Sequence, residues 1–170
     1  MPTDSTQTSP SAAYPESSSA DPASRSSDSA VVHQQSETVT EGGFQLKVNG
    51  LQYPYQPSAD WTWMVRPGTS WLTMDFTVTN VSGHPLMFSS LGAFDLRDSK
   101  NHKYTPMDDA METLPDGKAF DDHTMQPNET ASGEVVFGVD QHADGFLLTF
   151  KGNVWENKGQ DDWPAVRLNP

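Results

Sequence analysis

From residue 43 onward, apolar and polar residues alternate with a period of two, and prolines and glycines recur about every ten residues. The clearest stretch is Ser70 to Asn80, where Leu72, Met74, Phe76 and Val78 alternate with Thr73, Asp75, Thr77 and Thr79. Such a segment buries one face and leaves the other wet. Phe44, Leu46 and Val48 alternate with Gln45 and Lys47, and Asn49-Gly50 then marks either a hairpin turn or a bulge inside a longer edge strand reaching Tyr55. Pro85 to Ser89, Ala93 to Arg97 and His102 to Thr105 read as short strands, with a turn at Asp98-Ser99-Lys100-Asn101 between the last two. Ala131 to Val139 and Gly145 to Lys151, joined through Asp140 to Asp144, form the last clear pair. About seven short strands at this spacing predict an all-β fold, an immunoglobulin-like antiparallel β-sandwich, with a barrel as the other way to close the sheet.

Upstream the pattern stops. Residues 1–42 hold eleven serines, five threonines and four prolines, but one aromatic, Tyr14. A stretch of this kind cannot bury enough apolar surface to offset its backbone entropy. The composition therefore predicts a disordered Ser/Thr/Pro-rich linker over 1–42 ahead of one folded domain over 43–170. A coil of that length spans on the order of 35 Å, which suits a spacer holding a domain off a surface.

Charge and cysteine content narrow the function. The chain of 170 residues carries a formal net charge of -13. The excess of acid falls in both regions, which argues against a nucleic-acid partner or an anionic membrane surface. With no cysteine there are no disulfides, thiolate metal sites or cysteine nucleophiles. No run reaches the roughly 18 apolar residues of a spanning helix. Export would require a signal peptide or lipidated cysteine ahead of this sequence, so membrane contact is expected only through an N-terminal anchor not present in it.

Three segments carry a family resemblance. Trp71-Leu72-Thr73-Met74-Asp75-Phe76-Thr77-Val78-Thr79-Asn80 is a strand ending in Thr-Asn. Phe94-Asp95-Leu96-Arg97-Asp98 followed by Lys103-Tyr104 is similar to F-x-L-x-D-x-x-G-x-x-Y, and residues 125–137 are similar to L-x-P-G-E-x-x-x-G-x-V-x-F. In this order, over about residues 44–151, they resemble the DUF4352 domains, related to telokin-like, immunoglobulin-fold immunoprotective antigens. The resemblance implies a lipoprotein or secreted protein of a Gram-positive-type bacterium, extracellular or anchored to the envelope. Asn101 and Asn128 stand where that pattern has glycine, as asparagine does where the backbone turns left-handed. Gly133 is expected to let its strand bend or bulge. Asn80 is expected to bond the backbone of the turn that follows.

Chemistry is sparse. The five histidines (His33, His84, His102, His123, His142) form no i,i+2 or i,i+4 pair, and neither H-E-x-x-H nor G-x-S-x-G occurs. These features point away from an enzyme and leave a hydrolase as a remote alternative. Asp108, Asp109, Glu112, Asp116, Asp121 and Asp122, next to His123, would supply hard oxygen ligands to Ca²⁺ if the segment folds round an ion; otherwise it is a solvated acidic loop. Tyr53, Tyr55, Trp61 and Trp63, interleaved with Pro54 and Pro57, would either clasp a sugar or peptide or pack inward, with Trp61-Thr62-Trp63 as a strand. Trp71, Trp155 and Trp163 read as core or rim. The expected function is a non-catalytic, tethered or secreted module that binds an unknown protein or glycan at the cell envelope, with a Ca²⁺-dependent module as the alternative.

Overall fold

The structure, a computed structural model, describes residues 31–155 and 162–170. Its strands are β1 (Val32–Gln34), β2 (Thr38–Glu41), β3 (Phe44–Tyr55), β4 (Thr69–Asn80), β5 (Leu86–Phe88), β6 (Phe94–Arg97), β7 (Lys103–Tyr104), β8 (His123–Met125), β9 (Thr130–Asp140), β10 (Leu147–Phe150) and β11 (Ala165–Arg167). One sheet runs β2-β3-β4-β9, a second β1-β11-β10-β6-β7, and β5-β8 form a separate ribbon. Three short helical turns complete the described residues: a 3-10 helix (Ala59–Met64), α1 (Ser90–Ala93) and α2 (Asp108–Met111).

The period-two pattern accounts for the core. Phe44, Leu46, Val48, Leu72, Met74, Phe76 and Val78 point from one sheet, and Phe94, Leu96, Leu148, Phe150 and Val166 from the other, into a single buried cluster. The packing is aromatic at its centre: Phe76 meets Phe94 edge-on at 4.9 Å between ring centroids and stacks on Phe120 at 5.0 Å. Such pairs add about 0.5–1.5 kcal/mol each beyond the area they bury.

The fold starts earlier than the expected boundary at Gly43. β1 pairs in parallel with β11 and β2 pairs antiparallel with β3, so residues 32–41 belong to the sandwich and pass from one sheet to the other. Val39, 2% exposed, is the apolar anchor of β2. Composition hid it, because Thr38-Val39-Thr40 buries one side chain among threonines. The linker expected over 1–42 is thereby shortened at its C-terminal end, and residues 1–30 lie outside the described residues.

Asn49-Gly50 proves to be a bulge rather than a hairpin turn. β3 runs on through it, with its register on β4 shifted between Val48 and Gly50 and again between Gln52 and Tyr55. Gly133 does not bend its strand: β4 and β9 pair without interruption from Thr69↔Asp140 to Thr79↔Thr130. A Cβ there would sit 2.6 Å from the Phe120 Cα, so Gly133 is glycine because another stretch of backbone crosses over it.

Candidate functional site

The backbone that crosses Gly133 belongs to the acidic segment, residues 106–124. Met107 N–H donates to the Val136 carbonyl, Phe120 N–H to the Glu134 carbonyl, and Glu134 N–H to the Lys118 carbonyl. The segment thus occupies the free edge of β9, where an open strand would invite association. It also covers the outward face of the sheet. Ala110 and Leu114 pack on Trp71 and Val136, with Tyr55, Met64, Val65, Met107 and Ala119 around them, as a second, smaller core. Trp71, 1% exposed, is core as expected, but on the side of the sheet opposite to Leu72.

The same cluster receives the aromatic segment. The register shift between Gln52 and Tyr55 sends the two tyrosines to opposite faces. Tyr53 packs edge-on against Phe146 at 5.2 Å, and its hydroxyl lies 3.3 Å from the Asp140 and Gln141 carbonyls. Tyr55 turns outward, lies opposite Trp71, and donates its hydroxyl to the Thr113 carbonyl at 3.1 Å. Trp61-Thr62-Trp63 is not a strand but the middle of the 3-10 helix. Met64 and Val65 tie that helix to the second core, Trp61 is half-buried, and Trp63 stands 75% exposed. Two segments that are far apart in sequence therefore form one continuous surface. Tyr55, Met64 and Val65 are fixed in the second core; Trp63 and Asp60 on the one segment, and Asp108, Asp109 and Glu112 on the other, are exposed.

The six carboxylates expected to gather round Ca²⁺ are not brought together. Asp122 turns to α1, accepting from the Ser89 hydroxyl and the Ser90 N–H, both at 2.8 Å. Asp108, Asp109, Glu112, Asp116 and Asp121 are exposed. Among the described residues no three Asp, Glu or His side chains are placed to share a metal ion. The apolar residues between them explain this: Ala110, Met111, Leu114 and Phe120 are pulled down, and the acids are left pointing out.

The family model for a domain of unknown function, DUF4352, matches residues 33–161. The chain belongs to this family. Its match from residue 33 agrees with the early start of the sandwich. Among solved structures, the DUF4352 domain is similar to the Bacillus subtilis yjhA protein, at 17% identity and TM-score 0.59, over 81% of this chain and 99% of that one. It is similar to the secreted protein MPT63 of Mycobacterium tuberculosis, at 15% identity and TM-score 0.56, over 84% of this chain and 100% of that one. It also resembles ycdA of Bacillus subtilis, described as a "putative lipoprotein", at 15% identity and TM-score 0.59, over 80% of this chain but only 38% of that longer one. At these identities the likeness shows the β-sandwich fold. No curated protein sequence matches the chain.

The pieces that carry the family pattern are structural. Asp98 accepts from the Lys100 and His102 N–H groups, the His102 ring and the Tyr104 hydroxyl, all at 2.8–2.9 Å, and so ties the β6–β7 turn together. Burial pushes its carboxyl up, but these hydrogen bonds outweigh burial and hold it at about 2. Burial, and then the bond to Asp98, push the Tyr104 hydroxyl to about 12. Asn101 and Asn128 sit at φ 67° and 64°, as their turns require. Asn80, fully buried, accepts from Ser82 through Oδ1 and donates to the His84 and Met125 carbonyls through Nδ2, closing the following turn and pinning β8.

The histidines are engaged locally. His123 places Nδ1 2.6 Å from the Asp121 carbonyl and Nε2 3.1 Å from Glu129, so both ring nitrogens meet acceptors. The Asp121 carbonyl and then Glu129 raise its pKa. Ser89 follows Phe88, the residue that pairs with His123, and its hydroxyl donates to Asp122. Sequence reading missed the outward burial of Trp71. Its signal was Val136, an apolar residue breaking the alternation between Val135 and Phe137.

Proposed function

We propose that the chain is a non-catalytic binding module of the extracellular or envelope compartment, engaging its partner through the surface centred on Trp63. The observation that carries this reading is the exposure of Trp63, 75%, on a helix whose neighbouring residues Met64 and Val65 are fixed in a core. An exposed indole on a rigid support offers a large amphipathic contact surface with little left to order on binding, and aromatic anchors dominate protein contacts. Asp60 lies three residues before Trp63 on the same 3-10 helix, and Asp108, Asp109 and Glu112 are exposed on the segment that shares the second core with that helix, which suits a partner that brings a cationic group onto the indole face. The extracellular assignment is supported by the secreted and lipoprotein-type relatives. The non-catalytic reading is supported by the local hydrogen bonding of His33, His84, His102 and His123.

The test is a comparison of wild type with Trp63→Ala on arrays of envelope glycans and of basic and neutral peptides, with thermal unfolding measured alongside. Ligands captured by wild type and lost in the variant at unchanged stability support the proposal. Equal capture by both proteins, or capture by neither, overturns it.

A further inference from the structure

The outward face of the second sheet carries a charge pattern opposite to that of the chain. Strand register sets Gln34, Arg167, Leu147, Arg97 and Lys103 side by side in one row across β1, β11, β10, β6 and β7. The adjacent row of Leu148, Val166 and Leu96 faces the core, so alternation turns this row outward. With strands about 4.8 Å apart, Arg167 and Arg97 stand roughly 10 Å from each other across Leu147, and Lys103 lies one strand further on. The next outward position on β6 is Asp95, whose Oδ2 lies 2.9 Å from Lys103 Nζ and 2.8 Å from Lys151 Nζ.

Four cations thus meet one carboxylate on this face, in a protein of net charge -13. Among the described residues neither Arg97 nor Arg167 has a carboxylate within ion-pair distance. Arg97 instead bonds Asn101 Oδ1 through Nη1 at 2.9 Å, which steadies the guanidinium and leaves its other donors available. Like charges on directly opposed strands cost stability, so packing gives no reason to keep Arg97 facing Lys103.

We propose that this face docks a flexible phosphate polymer without bases, of the poly(glycerol phosphate) kind. Arginine forks and lysine point charges are the usual phosphate partners. The two outward rows contain no aromatic side chain on which a base or sugar ring could stack, and Leu147 between the arginines suits the carbon backbone of a polyol. Net charge alone argues against any polyanion; segregation of charge between the two faces removes that objection.

The experiment measures binding of the whole chain to poly(glycerol phosphate), single-stranded DNA and poly-glutamate across a salt series. The expected result is binding of poly(glycerol phosphate) at low salt, with affinity falling about tenfold in Arg97→Gln/Arg167→Gln and the salt slope dropping by about 2, as expected for two lost phosphate contacts. Arg167→Gln alone alters an exposed side chain, so it retains the fold and should still weaken binding. Arg66→Gln, outside this face, should bind as wild type. No binding by wild type, or equal binding by Arg97→Gln/Arg167→Gln, overturns the proposal. Equal affinity for single-stranded DNA or poly-glutamate overturns the assignment to a base-free phosphate chain.

Discussion

On the outward face of β3-β4-β9, Trp71 and Val136 are sealed under residues 106–120, whereas on the outward face of β11-β10-β6 Arg167 is open and Leu147 is half-buried between arginines. Both strand sets show the same period-two alternation inward, so the inner pattern says nothing about the outer faces. The difference lies in the connections. β6 and β7 are joined by a tight turn that Asp98 ties together, while β7 and β8 are joined by a segment long enough to carry Ala110, Leu114 and Phe120 back across the sheet. A sheet face stays wet or becomes a second core according to what the neighbouring loop can lay on it.

The largest expected effect comes from the sealed face. Trp71→Ala should cost about 3–5 kcal/mol, as a large aromatic removed from a core does, while Trp63→Ala should stay within about 0.5 kcal/mol. Urea unfolding of both variants tests this; equal losses would erase the distinction between the two tryptophans. On the outward face of the second sheet, Lys103→Ala or Lys151→Ala alone leaves Asp95 with one cation. The double variant leaves a buried carboxylate unpaired and should cost about 2–3 kcal/mol, more than the sum of the singles. Additive losses would show that the lysines do not share Asp95.

Gly133→Ala should cost about 1–3 kcal/mol, because its methyl must push the Phe120 backbone away. The same change at Gly50, where no atom lies within 4 Å of the added Cβ, should cost less. The smallest effect concerns pH. The pKa of His123 is raised in the folded state, so its contribution is fully present below its ordinary value of 6.5 and is lost as pH rises through the raised value. Wild type should therefore lose slightly more thermal stability than His123→Gln between neutral and alkaline pH. Parallel curves would show that His123 contributes no pH-dependent stability.

Much of the inner structure was legible in the residues. Ser70 to Asn80 forms β4 with the expected side chains inward, and Asn101 and Asn128 adopt the positive φ their turns demand. The site was less legible because its parts depend on register and on contacts distant in sequence. Tyr53 and Tyr55 share parity and look like neighbours on one face, but a shift against β4 separates them. Asp108 to Asp122 reads as a ligand cluster when only the acids are counted; the alanine, methionine, leucine and phenylalanine among them determine how the segment lies. Trp155, expected in core or rim, is 81% exposed, since nothing in its local pattern separates a packed indole from a free one.

Residues 106–120 are part of the fold, a cover on β9 and Trp71 rather than a solvated acidic loop. Amide hydrogen exchange tests it directly. Met107, Phe120 and Glu134, whose N–H groups bridge the segment and β9, are expected to exchange nearly as slowly as the amides of β4. Exchange of Met107 and Phe120 at the rate of an open loop, with β4 still protected, would contradict it.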